Sequence, residues 1–194
     1  MQRFLDGYMA RSAQAAAALA EDTVAAEILL AMAATLADAF RKGGRLFTAG
    51  NGGSAADATH IAAEFLSRCH FDRAPLPAFA LSTNSPALTA CANDYGVETL
   101  FARQIVALGR AGDVLLVLST SGNSPNILAA IDVARNADMT VLGFAGQTGG
   151  RMAGYVQTLL RVPSAEAQIV QQLHMQAGHA LLGLVEHAMF GVPA

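Results

Sequence analysis

A histidine and a carboxylate stand four residues apart at His60 and Glu64, with Asp57 one turn earlier on a similar face. On a helix that spacing lets the pair bond to each other, ligate a metal, or serve as acid and base. A second polar set, Gln171, Gln172, His174, Gln176 and His179, lies among Val170, Leu173, Met175 and Leu181. Polar groups in so apolar a segment need partners, which a site or a subunit interface supplies. His174 is the weaker candidate and reads as a satisfied buried histidine; His187 has no supporting pattern. Two small-polar loops complete the set. Gly50-Asn51-Gly52-Gly53-Ser54 follows the apolar run 45–49, and Ser119-Thr120-Ser121-Gly122-Asn123-Ser124 follows the run 113–118. Glycine lets the main chain approach a ligand, and N–H groups at a helix start beside serine hydroxyls suit an oxyanion. The first loop lacks both the GxGxxG spacing and the Gly-Lys-Ser/Thr of a P-loop. The second carries more hydroxyls than helix capping requires, even with Ser124 as N-cap before Pro125. It is the stronger phosphate candidate.

These residues need a scaffold, and the chain alternates in a way that provides one. Residues 1–42 read as helix almost throughout, with Asp22 and Thr23 as caps between a first helix and a second. In the second, Ile28, Met32, Leu36 and Phe40 recur every four residues as one apolar stripe, which Gly43-Gly44 ends. Strand candidates follow at 46–49, 78–81, 114–118, 140–144 and 156–162. Helix candidates lie at 54–67, 85–92, 97–108, 125–136 and 148–153, and a long helix over 166–189 closes the chain. Near-continuous apolar strands alternating with helices predict an α/β fold, a parallel sheet of about five strands covered on both faces. Ligands of such sheets sit outside the carboxyl ends of the strands, where both loops fall.

Composition narrows the function. At 194 residues the chain is one domain, 1–194, with room for a sizeable core. It is 53% hydrophobic and 14% charged, which predicts extensive burial, part of it between subunits. The net charge of −3 argues against a nucleic-acid partner, and an anionic ligand must be held by local dipoles and hydroxyls. Two cysteines exclude a disulfide framework and fit a reducing compartment. The N-terminus lacks a signal-peptide pattern and no uninterrupted apolar run reaches ~20 residues, so a cytoplasmic protein without a membrane partner is expected.

Read together, the motifs are similar to the sugar-isomerase (SIS) domain of phosphoheptose isomerases. Gly50 to Asp57 with His60 and Glu64, Ala92-Asn93-Asp94-Tyr95-Gly96, Ser119 to Asn126, and Arg161-Val162-Pro163-Ser164 carry the resemblance, which runs nearly end to end. It implies an SIS-type sheet with N-terminal helices, 1–42, packing in a homotetramer whose active sites lie between subunits. The implied activity is aldose–ketose isomerisation of a phosphorylated seven-carbon sugar, sedoheptulose 7-phosphate, on the way to bacterial heptose. By the same resemblance Ser119, Thr120, Ser121 and Ser124 hold the phosphate, while Asn51, Gly52, Gly53, Ser54, Asn93, Asp94 and Gln171 line the sugar. Glu64 moves a proton between C1 and C2 and His179 is its acid–base partner. Zinc is the implied cofactor, on His60, Glu64, Gln171 and His179.

The chain departs from the family pattern in places. Family members commonly carry a basic residue, Ile, Gln, Glu and then His two positions on; here Ile169-Val170-Gln171-Gln172-Leu173-His174 lacks the basic residue and the Glu, and Thr59 stands where many members have Gln. None of these removes a proposed acid–base group. A relative that binds the bacterial replication initiator without isomerising anything lacks the acid–base side chains matching Glu64 and His179. Both are present here, which favours the enzyme over a binding or phosphosugar-sensing module.

Overall fold

The computed structural model describes residues 1–191, so the last three residues of the domain lie outside its described part. Seven α-helices and five strands follow in order: α1 (Gln2–Glu21), α2 (Thr23–Arg41), β1 (Leu46–Gly50), α3 (Gly53–Leu66), β2 (Ala78–Ala80), α4 (Ser85–Tyr95), α5 (Ala102–Leu108), β3 (Val114–Ser119), α6 (Pro125–Asn136), β4 (Thr140–Ala145), β5 (Thr158–Arg161) and α7 (Ala167–Phe190). Single 3-10 segments occupy Val97–Thr99 and Gly150–Gly154. The expected helix over 97–108 is therefore split, and the one expected over 148–153 is a 3-10 turn that starts at left-handed Gly149 and Gly150.

All strand pairs are parallel, in the order β2-β1-β3-β4-β5. Every residue of β1 and β3 is buried, as continuous apolar central strands require. Side chains alternate between the two faces. Leu46, Val114, Leu116, Leu118, Leu142 and Phe144 pack under α2, α3 and α7; Phe47, Ala49, Leu115, Val117 and Val141 pack under α5 and α6. Thr48, the polar member of β1, is satisfied by donating to the Ala58 carbonyl at 2.7 Å.

Asp22 caps α2 as its sequence suggests, its carboxylate accepting from the Val24 and Ala25 N–H groups; Thr23 is instead the first residue of that helix. Within α2 the predicted stripe turns inward, with Met32, Leu36 and Phe40 buried. By length and composition α2 could span a membrane, with mean hydropathy 1.6. Glu27, Thr35 and Asp38 interrupt it, however, and its apolar face belongs to the core. Two helices find little support inside the chain. In α1 only Ala15 and Leu19 are buried, while Phe4, Leu5 and Met9 are exposed. In α4 no residue is buried.

Candidate active site at the switch point of the sheet

The strand order reverses between β1 and β3, whose chain neighbours lie on opposite sides of them. At such a switch point the loops leaving the two strands diverge and open a crevice. Both sequence-predicted loops leave these strands, with Gly50 paired in register to Leu118. An amide pair joins them across the crevice. Asn51 Nδ2 donates to Asn126 Oδ1 at 2.9 Å, and Asn126 Nδ2 donates back to Asn51 Oδ1 at 2.8 Å. Asn126 is buried in the first turn of α6. Asn51 therefore spends its carboxamide on a structural bond and offers a ligand chiefly its backbone.

The second loop is built around Ser119, which is buried. Its hydroxyl accepts from the Gly122 N–H at 3.2 Å and lies 3.2 Å from the Ser124 hydroxyl. Ser124 occupies the N-cap position before Pro125, as expected, but makes no side-chain cap. Its hydroxyl turns to Ser119 instead, so hydroxyls and the helix start face the same loop. Gly122 has φ +66°, and a Cβ there would stand 2.0 Å from the Gly149 carbonyl oxygen, so no other residue fits without moving the backbone. Thr120 and Ser121 stand at the outer edge, with Ser121 Oγ accepting from the Asn123 N–H.

The first loop launches α3, and α3 lies along α7. A Cβ on Gly53 would touch the Gln171 carboxamide, one on Gly178 would touch Ile61, and His60 meets His179. These pairs advance together, so the two helices run parallel. His60 Nε2 and His179 Nε2 are 3.1 Å apart with the rings edge to face, and Glu64 Oε1 is 3.7 Å from His60 Nε2. Three of the sequence-predicted groups thus meet at one level of the helix pair. Gln171 sits eight residues before His179, about 12 Å along the helix axis, against the glycine loop instead. Asn93 and Asp94, at the exposed end of α4, bond to each other at 2.7 Å.

Buried charge is unevenly satisfied around this seam. Burial pushes the Asp57 carboxyl up to about 6, with His60 opposing, and Asp57 Oδ2 is buried without a partner among the described residues. His174, expected to be a satisfied core histidine, is buried against Phe144 with neither ring nitrogen hydrogen-bonded among the described residues. Burial drives it down to about 4, and the nearby Ala145 carbonyl opposes that shift without reaching hydrogen-bond geometry. The Cys69 thiol is pushed up to about 11 by burial and by Glu64, which makes it a poor nucleophile. Both cysteines are free.

The donor set suits zinc. Two nitrogens on a tetrahedral zinc at about 2.0–2.1 Å lie about 3.3 Å apart, close to the His60–His179 spacing of 3.1 Å. Among the described residues no three His, Cys, Asp or Glu side chains already converge on one metal position, so Glu64 would have to swing inward to complete the set. Sequence reasoning gave no role to Asn126, the link between the loops, and passed over Glu186 of α7. Glu186 is signalled only as a lone acid in the apolar run 181–190.

Known proteins share this fold. The SIS domain model matches residues 8–146. A phosphoheptose isomerase of Burkholderia pseudomallei is 54% identical over 172 residues, 87% of each chain. The structure of a phosphoheptose isomerase from Francisella tularensis is similar over 96% of this chain and 98% of that one, with TM-score 0.90 and 33% identity. One from Neisseria gonorrhoeae matches with TM-score 0.88 and 37% identity, over 95% of this chain and 98% of its own. A parallel sheet with two Gly/Ser loops at its switch point and these likenesses have one reading: the chain belongs to the SIS-domain family, among the phosphoheptose isomerases.

Proposed function

We propose that this enzyme interconverts sedoheptulose 7-phosphate and D-glycero-D-manno-heptose 7-phosphate through an enediol, with Glu64 and His179 exchanging the protons. The observation that carries the reading is the meeting of Glu64, His60 and His179 on parallel helices, about two turns along from the glycine loop. In the forward direction the Glu64 carboxylate removes a proton from C1 of the ketose, giving the 1,2-enediol. The proton returns at C2, while a proton leaves O1 and one reaches O2, the exchange assigned to His179. A carboxylate and an imidazole suffice for this acid–base work. Ser119, Thr120, Ser121 and Ser124 hold the phosphate remote from the reacting carbons, so its binding energy orients C1 and C2. Gly52, Gly53 and Ser54 border the sugar with Asn51, and Gln171 joins them because its carboxamide lies on Gly53.

A zinc ion held by His60, Glu64 and His179 would supply Lewis-acid polarisation of the carbonyl. Gln171 of the same chain is two helical turns away, which favours a role at the sugar over ligation. Asn93 and Asp94, exposed on a helix with no buried residue, fit a contribution made across a subunit boundary. The exposed Phe4, Leu5 and Met9 of α1 support a homotetramer, as does an apolar cleft of about 450 Å³ between α2 and α7 that reaches His179. The reading assigns the enzyme to the cytoplasm.

An end-point assay with sedoheptulose 7-phosphate on wild type, Glu64→Gln and His179→Gln tests it. Product from wild type and none from either variant is expected. Equal product from all three would remove the assigned roles, and no product from wild type would remove the isomerase reading.

A further inference from the structure

Away from the crevice the chain buries a second charged cluster that the proposed reaction does not use. Glu186 is fully buried on α7, one face and about two turns beyond His179. Its carboxylate accepts from the Cys69 and His70 N–H groups at 2.9 Å each, from Arg73 Nε at 3.1 Å, and stands 3.2 Å from His70 Nδ1. Arg73, its side chain 1% exposed, spends its remaining donors on carbonyls. Nη2 donates to Glu64 O at 2.9 Å; Nη1 donates to Phe65 O at 2.7 Å, Ser67 O at 2.9 Å and Ala74 O at 3.2 Å. The last carbonyls of a helix have no partner within it, and here one guanidinium takes those of the end of α3. The His70 ring lies on Gly183, where a Cβ would come within 2.8 Å, so the loop after α3 is seated on α7 one turn before Glu186.

We propose that Arg73 and Glu186 are positioning residues for the isomerisation, a buried ionic clamp that fixes the main chain of Glu64 against the helix carrying His179. The inference rests on the reading of those two residues as the reacting pair. It follows from where the bonds land: the guanidinium grips the carbonyl of Glu64 itself, and the carboxylate it pairs with rides on α7. A buried ion pair is a poor means of adding stability, because desolvating both charges offsets most of their attraction. Its value here is geometric. Proton transfer requires the base within hydrogen-bond reach of C1, and a displacement of about 1 Å costs on the order of a hundredfold in rate. The phosphate loop follows β3, a different element from the two the clamp ties, so loosening the clamp acts on kcat more than on KM.

The test uses the full-length protein and the substrate sedoheptulose 7-phosphate, with kcat and KM measured well below each variant's melting temperature. Arg73→Lys keeps a positive charge but cannot span the carboxylate and four carbonyls; Glu186→Gln keeps the shape and removes the charge. The expected result is a fall in kcat of about tenfold or more for Arg73→Lys and about threefold or more for Glu186→Gln, with KM within about threefold of wild type. Should Arg73→Lys fail to fold, Glu186→Gln decides alone. A folded variant with wild-type kcat overturns the clamp, and so does a loss that follows the folded fraction with kcat recovering on cooling. If wild type turns over, Glu64→Gln does not, and Arg73→Lys equals wild type, only the clamp falls. If wild type itself does not turn over, both readings fall.

Discussion

His174 gives this protein a stability that depends on pH in a calculable direction. The side chain is fully buried beside Phe144, with no hydrogen-bond partner among the described residues for either ring nitrogen. Burial disfavours the charged form and lowers the folded-state value from 6.5 to about 4. The unfolded chain therefore binds this proton first as pH falls, so the folded state is favoured fully above the unfolded value and loses that advantage between about 6.5 and 4. The whole gap is worth about 3 kcal/mol, at about 1.4 kcal/mol per pH unit. About 2 kcal/mol of it disappears between pH 7 and pH 5. The perturbation is His174→Leu, which keeps an apolar side chain against Phe144 and removes the titration. Urea unfolding of wild type and variant at pH 5, 6, 7 and 8, at one protomer concentration because assembly adds to apparent stability, measures the effect. The stability difference between the two should change by about 2 kcal/mol from pH 7 to pH 5, in favour of the variant. A difference that stays constant across this range would refute the claim that His174 is held neutral by burial.

Asp57 titrates in an overlapping window with the opposite sign. Its folded value, pushed up to about 6, means that ionisation from pH 4 to 7 costs stability, and partial exposure screens this to about 1 kcal/mol. Asp57→Asn should raise the melting temperature at pH 8 and leave it unchanged at pH 4; equal shifts at both would show that the carboxylate is not desolvated. Gly122→Ala meets both a left-handed backbone and the Gly149 carbonyl, so a loss of 2 kcal/mol or more in stability, with weakened phosphosugar binding, is expected. A variant as stable as wild type in thermal unfolding would show that the loop relaxes.

Much of the scaffold is legible in the sequence because its signals are local. Leu46 to Gly50 and Val114 to Ser119 are apolar runs stopped by glycine or serine, and Asp22 is a cap written two residues from what it caps. Segments that depend on distant contacts read less well. The 97–108 stretch has helical composition throughout, yet it folds as a 3-10 turn and a short helix, with Phe101 between them buried in the core. Spacing put His60 beside Glu64, but nothing local announces that α3 and α7 run parallel. That register comes from Gly53 under Gln171 and Gly178 under Ile61, and it carries Gln171 to the glycine loop while leaving His179 at His60. The Arg73–Glu186 pair, 113 residues apart, is invisible to periodicity for the same reason.

The central claim is that protons, not a hydride, move between C1 and C2, and that Glu64 moves them. Running the isomerisation of sedoheptulose 7-phosphate in D2O and reading the product by NMR tests this directly. Wild type should deliver aldose carrying deuterium at C2, because the carboxylate exchanges its proton with solvent before returning it, and Glu64→Gln should deliver neither product nor label. Aldose formed at full rate without deuterium, or labelled equally by Glu64→Gln, would contradict the account.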